Sequence, residues 1–211
     1  MKTDVETLVD ILINTASHES TMHHTRTSGT PYFWRQALGR TKGPLTDENI
    51  DIIAKAKERD PPSAHEIIPN LFLGNKGAAE NIEYLKSKKI THLLNMGSAS
   101  LRSRHFLVMP DKDDLEREGI QLKNSPDWSE MNVIECFPEC CDWIQKSLDD
   151  KGRVLVTCWQ GASRSAAVVL AFLIRYLNKE LEEAMVFVKK RRDIRPNNEF
   201  LQQLIDYEAT L

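Results

Sequence analysis

The sequence predicts an α/β fold in which a central, mostly parallel sheet is flanked by helices. Two features of the chain from residue 63 onward support this prediction. Short apolar runs of strand length alternate with longer segments whose apolar residues recur at helical spacing. In addition, Ser165–Leu177 is strongly apolar on every side, which indicates a helix that is buried all round. Alternation of this kind is typical of domains built on a parallel sheet.

The individual elements follow from these periodicities in chain order. The predicted strands are 71–73, 91–96, 120–123 and 153–157. The predicted helices are 78–88, 132–148, 165–177, 181–191 and 198–207. Within 132–148 the buried face is expected to carry Phe137, Cys140, Cys141, Ile144 and Leu148, which fall on one helical period.

Residues 1–62 are predicted to be an N-terminal extension, and residues 63–211 the folded domain. Pro61 and Pro62 mark the boundary, because a helix seldom continues through a pair of prolines. A short amphipathic helix is predicted near the N-terminus from Val5, Leu8, Val9 and Leu12. The segment 15–30 is rich in Ser, Thr and His and predicts a loop, and Thr46 is a candidate cap for a second helix.

Composition excludes several classes of function. A net charge of -3 gives no reason to expect a nucleic-acid partner. The charged N-terminus is not a secretory signal, and the longest apolar run, Ala166–Ile174, is too short to span a bilayer. The cysteines at 136, 140, 141 and 158 fit no common zinc pattern and indicate a reducing, intracellular compartment. We therefore expect a cytoplasmic protein, with the nucleus as an alternative location, and we expect no membrane association.

The segment from Val154 to Ser165 carries the candidate chemistry. It predicts a strand, a tight loop and then a helix, with Cys158 where backbone N–H groups converge. This position favours the thiolate and makes the cysteine nucleophilic near neutral pH. Six residues on, Arg164 can grip a phosphoryl group through two oxygens, and Gly161 lets the loop curl. The alternative from these residues alone is a structural cysteine beside a helix-capping Ser163.

The whole segment resembles the signature loop of the cysteine-dependent protein phosphatases, and Gly-Ala-Ser-Arg-Ser is similar to the dual-specificity version. Three further motifs extend the resemblance over about 64–211. Glu66–Asn75 resembles the opening strand of the family, Ile90–Asn95 resembles its next core strand, and Arg195–Phe200 is similar to its closing Pro-Asn motif. The resemblance implies that Cys158 is the nucleophile and that no metal or cofactor takes part. It implies a phosphate-binding loop formed by Trp159, Gln160, Gly161, Ala162, Ser163 and Arg164. The hydroxyl of Ser165 is expected to hydrogen-bond the sulfur as it leaves.

The resemblance also implies an aspartate that acts as the general acid. The family places it on a loop after the strand that precedes the long helix, and Asp127 occupies that position here. An aspartate after Pro126 also fits an ordinary turn. The rival acids are Asp111, Asp113 and Asp114, which lie in a charged run before the next strand.

Three functions remain open from the sequence. The first is a phosphatase acting on phosphotyrosine, phosphoserine and phosphothreonine, since the domain looks too short for the insertions that form a deep tyrosine pocket. The second is a weakly active or inactive phosphoprotein-binding pseudophosphatase, because Thr157 stands where the family has histidine. A phosphoinositide phosphatase ranks last, since no lysine lies between Cys158 and Arg164. The expected partners are phosphorylated proteins.

His18, His23 and His24 are a weak candidate for a metal site.

Overall fold

The computed structural model of the protein describes residues 61–97, 110–125 and 133–211, together with Val5 and Leu8. Within these ranges a five-stranded sheet has the order β1-β2-β5-β3-β4. The strands are β1 (Ala64–Ile68), β2 (Leu71–Gly74), β3 (His92–Asn95), β4 (Gln121–Asn124) and β5 (Val154–Thr157). Strand β1 runs antiparallel to β2, and all other pairs are parallel. The predicted fold class is therefore confirmed.

Helices cover both faces of this sheet. They are α1 (Lys76–Ala79), α2 (Ile82–Ser87), α3 (Lys112–Arg117), α4 (Val133–Asp149), α5 (Arg164–Leu177), α6 (Leu181–Lys189) and α7 (Asn198–Glu208). One core contains the apolar sides of α4, α5, α6 and α7, and a smaller core contains those of α1, α2 and α3. Helix α5 is buried from Arg164 through Ile174, as its all-round apolar sequence predicted.

The central strand β5 connects the two cores. Val154 and Val156 belong to the larger core, whereas Leu155 belongs to the smaller one, as the alternation of side chains along a strand requires. Strand β5 lies between β2 and β3, and its four residues are completely buried. The residue that follows Thr157 therefore emerges at the middle of the sheet edge where the parallel strands end, which is the usual place for a ligand in such sheets.

Two parts of the sequence-based assignment were wrong. The single helix predicted at 78–88 is two short helices, because Asn81 adopts an extended backbone and its side chain accepts the N–H of Tyr84, capping α2. The segment 66–75 is not one strand, since the chain turns back at Asn70, whose φ is 68°, and forms β1 and β2. The charged run before β4 contains α3, which is capped by Asp111 and anchored by the buried Leu115, and most of its charged side chains are exposed.

The N-terminal part of the chain contributes two described residues. Val5 and Leu8 are helical; Leu8 is completely buried in the larger core, and Val5 packs against that core. The predicted 15–30 loop, the helix after Thr46 and the histidines at 18, 23 and 24 lie outside the described residues, and the domain boundary at residue 62 stays a prediction. In the described part of the chain, no helix is long and apolar enough to cross a bilayer.

Candidate active site

Cys158 lies directly after β5 and begins the loop that leads into α5. Its side chain is buried, with 4% of its surface exposed. The hydroxyl of Ser165, in the first turn of α5, donates a hydrogen bond to the Cys158 sulfur at 3.1 Å. The strand, loop and helix predicted from the sequence are therefore present, and they bring the thiol to the N-terminus of a long helix.

The surroundings of Cys158 favour its thiolate form. Burial on its own raises the pKa of the thiol, because it penalises the charged state. The hydroxyl and backbone N–H of Ser165, the positive charge of Arg164 and the backbone N–H of Ser163 act in the opposite direction. The net result is a pKa below the ordinary cysteine value. A thiol in this environment can act as a nucleophile.

The loop bends at Gly161, where the chain passes very close to β2. The φ of Gly161 is +66°, in the left-handed region that glycine adopts most readily. A Cβ placed on Gly161 would lie 2.2 Å from the carbonyl oxygen of Gly74 and 2.7 Å from Nη2 of Arg192. No other residue fits here unless the backbone moves.

The carbonyls at the two ends of the loop are held from outside by backbone donors. The N–H of Lys76 donates to the carbonyl of Trp159 at 3.1 Å, and the N–H of Arg195 donates to the carbonyl of Ala162 at 2.6 Å. The ammonium of Lys76 also lies 4.1 Å from the centre of the Trp159 indole ring. These contacts connect the loop to α1 on one side and to the segment before α7 on the other.

The two carbonyls between these ends are held by the side chain of Arg192. Its Nη2 donates to Gln160 at 2.9 Å and its Nε to Gly161 at 2.7 Å. This role of Arg192 was not among the predictions from the sequence. The pattern gave no signal for it, because Arg192 acts across 31 residues whereas the adjacent Arg191 stacks on Phe187 at 3.6 Å.

Outward-facing carbonyls determine where the N–H groups of the loop point. In a planar trans peptide the C=O and the N–H point in opposite directions. Because successive carbonyls from Trp159 to Ala162 are bound from outside, the amides of the following residues face the inside of the loop. A concave row of amides of this kind binds anions.

Thr157 is completely buried and connects β5 to β2. Its hydroxyl lies 3.1 Å from the carbonyl oxygen of Gly74 and 3.3 Å from that of Cys158, and it donates to these acceptors. The single hydroxyl proton is thus used on carbonyl oxygens and not on the sulfur. Thr157 orders the start of the loop but adds no positive charge beside the thiolate.

The predicted general acid, Asp127, lies outside the described residues. The structure does describe the point from which its segment departs. In the parallel register, Asn124 pairs with Asn95, and Asn95 pairs with Thr157. The N–H of Ser125 donates to the carbonyl of Asn95 at 2.9 Å. The chain therefore leaves β4 at the same edge of the sheet as Cys158.

Two of the three rival acids have structural partners in or next to α3. Asp111 caps this helix by accepting the N–H of Asp113, and Asp114 forms an ion pair with Arg117. Among the described residues, no group of three or more His, Cys, Asp or Glu side chains is placed to hold a metal ion. The expectation that the reaction needs no metal stays a prediction.

The chain is similar to known proteins over the same region. Residues 71–210 match the family described as dual specificity phosphatase, catalytic domain. The chain is 36% identical over 163 residues to dual specificity protein phosphatase MPK-4 of Drosophila melanogaster, covering 77% of this chain and 38% of that protein. It is 34% identical over 147 residues to dual specificity protein phosphatase 1B of Arabidopsis thaliana, covering 69% of this chain and 82% of that protein.

The fold of this chain also occurs in a solved structure whose name describes it as phosphatase-like. The human tyrosine phosphatase-like serine/threonine/tyrosine-interacting protein is 29% identical and superposes with a TM-score of 0.59. The superposition covers 70% of this chain and 96% of that one. The architecture found here is thus shared by a protein that is named as phosphatase-like.

Proposed function

Because the chain belongs to the dual specificity phosphatase family, we propose that it hydrolyses phosphotyrosine, phosphoserine and phosphothreonine in proteins through a cysteinyl-phosphate intermediate. The observation that carries the proposal is the position of Cys158, a thiol with a lowered pKa inside a loop whose carbonyls are held outward. Residues 63–211 form the catalytic domain in this proposal, and phosphorylated proteins are its partners.

In the first step the Cys158 thiolate attacks phosphorus. The S–P bond forms as the ester P–O bond breaks, and the departing oxygen takes a proton from Asp127. The side chain of Arg164 and the inward-facing amides of residues 160–163 bind the phosphoryl oxygens, and they stabilise the charge that builds up on them. Trp159, Gln160, Ala162 and Ser163 line the same loop, where their side chains are exposed or half-buried and can contact the substrate.

In the second step water attacks the phosphorus of the intermediate. The Asp127 carboxylate accepts a proton from that water, the P–S bond breaks, and phosphate leaves. The sulfur departs as a thiolate and receives the hydrogen bond that Ser165 makes at 3.1 Å. The enzyme returns to its starting protonation state, so the two steps balance.

The chemistry also indicates where the protein works. A thiolate nucleophile has to stay reduced, which favours a cytoplasmic or nuclear location. All four cysteines lie within the described residues and are free thiols. No nucleic-acid or membrane partner is part of the proposal.

The second candidate function is a phosphoprotein-binding module with little turnover. Thr157 is the observation that favours it, because its hydroxyl donates to carbonyl oxygens and leaves the thiolate without the donor that histidine would provide. A structurally similar human protein is named as phosphatase-like and interacting.

Hydrolysis assays distinguish the two functions. We expect the purified chain to hydrolyse an aryl phosphate and phosphopeptides, and we expect vanadate to inhibit both reactions. A chain that binds phosphopeptides but releases no phosphate at any pH would support the binding module.

A further inference from the structure

The guanidinium of Arg192 makes four hydrogen bonds and links the loop to β1. Two of them reach the consecutive carbonyls of Gln160 and Gly161, at 2.9 and 2.7 Å. The other two join Nη1 to the hydroxyl of Ser63 at 3.2 Å and to Nδ1 of His65 at 2.9 Å. The guanidinium plane is therefore fixed at both ends.

Ser63, directly before β1, and His65, on β1, hold the guanidinium of Arg192 without forming an ion pair with it. His65 contacts a cationic group, so its Nδ1 accepts a hydrogen bond from Arg192 and its ring is neutral. Burial, Arg192 and Lys88 all lower the pKa of His65, which keeps the ring in this form. The Ser63 hydroxyl accepts the remaining bond.

We propose that Arg192 is a positioning residue for the phosphoryl-transfer reaction. It holds the carbonyls of Gln160 and Gly161 on the outside of the loop, so that the N–H groups of Gly161 and Ala162 point at the phosphoryl oxygens and the Cys158 sulfur. The inference rests on the proposed function, because it assigns to Arg192 the order of the loop that binds the phosphoryl group.

Two physical arguments support a role specific to arginine. The planar fork of a guanidinium can donate to two neighbouring carbonyls at once, whereas an ammonium is a point donor on a flexible chain. Without these donors the two carbonyls are free to rotate toward the ligand, where their partial negative charge would repel both the thiolate and the phosphoryl group. The positive charge of Arg192 also interacts favourably with the Cys158 thiolate.

The test compares Arg192→Gln and Arg192→Lys with a matched control, Arg191→Gln. The control removes the same charge one residue away, where the side chain stacks on Phe187 and donates to its carbonyl. The first readout is the rate of Cys158 alkylation by iodoacetate as a function of pH, followed by mass spectrometry of the Cys158 peptide. The second is the inhibition constant of vanadate, and the third is thermal unfolding.

We expect Arg192→Gln to move the alkylation profile about one pH unit upward, which is about a tenfold loss of thiolate at neutral pH. Vanadate should bind at least tenfold more weakly. Arg192→Lys should fall between Arg192→Gln and the wild type, and Arg191→Gln should match the wild type. A purely structural role would lower the melting temperature and leave the alkylation profile where it is.

Two results would overturn the inference. One is an Arg192→Gln variant with the wild-type alkylation profile and vanadate affinity, and the other is an equal effect in Arg191→Gln. If Arg192→Gln does not fold, Arg192→Lys decides: a shifted profile supports the role, and a wild-type profile contradicts it. If the wild type itself binds no vanadate, the proposed function and this inference both fail. If only the inference about Arg192 is wrong, the wild type still binds vanadate and the proposed function stands.

Discussion

The carbonyl oxygen of Gly74 lies so close to Gly161 that a Cβ on that glycine would be 2.2 Å away from it. The oxygen of Gly74 is also the nearer acceptor of the Thr157 hydroxyl, at 3.1 Å. One carbonyl at the end of β2 therefore contacts both the residue before Cys158 and the bend of the loop after it. The shape of the loop depends on this backbone contact.

We predict that Gly161→Ala lowers turnover by about 10–100-fold, because it forces the loop away from β2 or strains the backbone by about 1–3 kcal/mol. Gly119→Ala is a matched control. Gly119 has a similar φ of +71°, but nothing lies within 4 Å of its added Cβ. The measurement is kcat/KM on an aryl phosphate. Equal losses in the two variants would show that backbone strain, and not the contact with Gly74, is responsible.

The strand, loop and helix around Cys158 were predicted well from the sequence because their signals are local. A short apolar run, Cys158, Gly161 and the apolar helix that begins at Arg164 lie within one stretch of chain, and each has its own propensity. The sequence could not predict the role of Arg192, since its contacts with the loop and with His65 on β1 depend on tertiary packing. The break between α1 and α2 was missed for another reason: Asn81 favours a cap over a continuous helix.

We predict that Asp127→Asn lowers turnover of alkyl phosphates by about 10²–10⁴-fold, the usual scale for loss of a general acid. The loss should shrink for leaving groups that need no proton. Rate constants measured over a series of leaving groups test this directly. Asp111→Asn and Asp114→Asn are controls, because both carboxylates have structural partners in or next to α3. A silent Asp127→Asn beside a damaging Asp111→Asn or Asp114→Asn would disprove the assignment.

We predict that Arg164→Lys lowers kcat by about 10²-fold or more, although it keeps the charge. Lysine cannot donate to two phosphoryl oxygens in one plane, and loss of a single transition-state donor has about this effect. Vanadate inhibition measures the same contact without turnover. Arg191→Lys, on the exposed surface, serves as the control and should be unchanged. Near-normal vanadate binding by Arg164→Lys would contradict the role of Arg164 as the phosphoryl ligand.

We predict that Thr157→His moves the thiolate profile to lower pH and increases activity at neutral pH. The reaction requires the thiolate, which is lost as the pH falls through the pKa of Cys158. That pKa is already lowered by Ser165, Arg164 and the loop amides, and a histidine would add a further donor. Each unit of pKa gives about a tenfold change in thiolate fraction below the pKa.

The measurement for Thr157 is a pH–rate profile combined with alkylation of Cys158. Thr157→Ser is the control, because it keeps the hydroxyl that donates to Gly74 and should follow the wild type. Coincident profiles for Thr157→His and the wild type would show that this position does not set the thiolate pKa. Absence of turnover in the wild type and in Thr157→His, with phosphopeptide binding retained, would favour the binding module.

The covalent intermediate on Cys158 is the central claim, and acid quenching tests it most directly. The enzyme is mixed with a phosphopeptide, quenched in acid within the first turnovers, digested and analysed by mass spectrometry. We predict one phosphoryl group on the Cys158 peptide of the wild type, with more of it in Asp127→Asn if the second step slows more than the first. Cys158→Ser should bind vanadate and show neither the adduct nor turnover. Turnover that persists in Cys158→Ser would contradict the account.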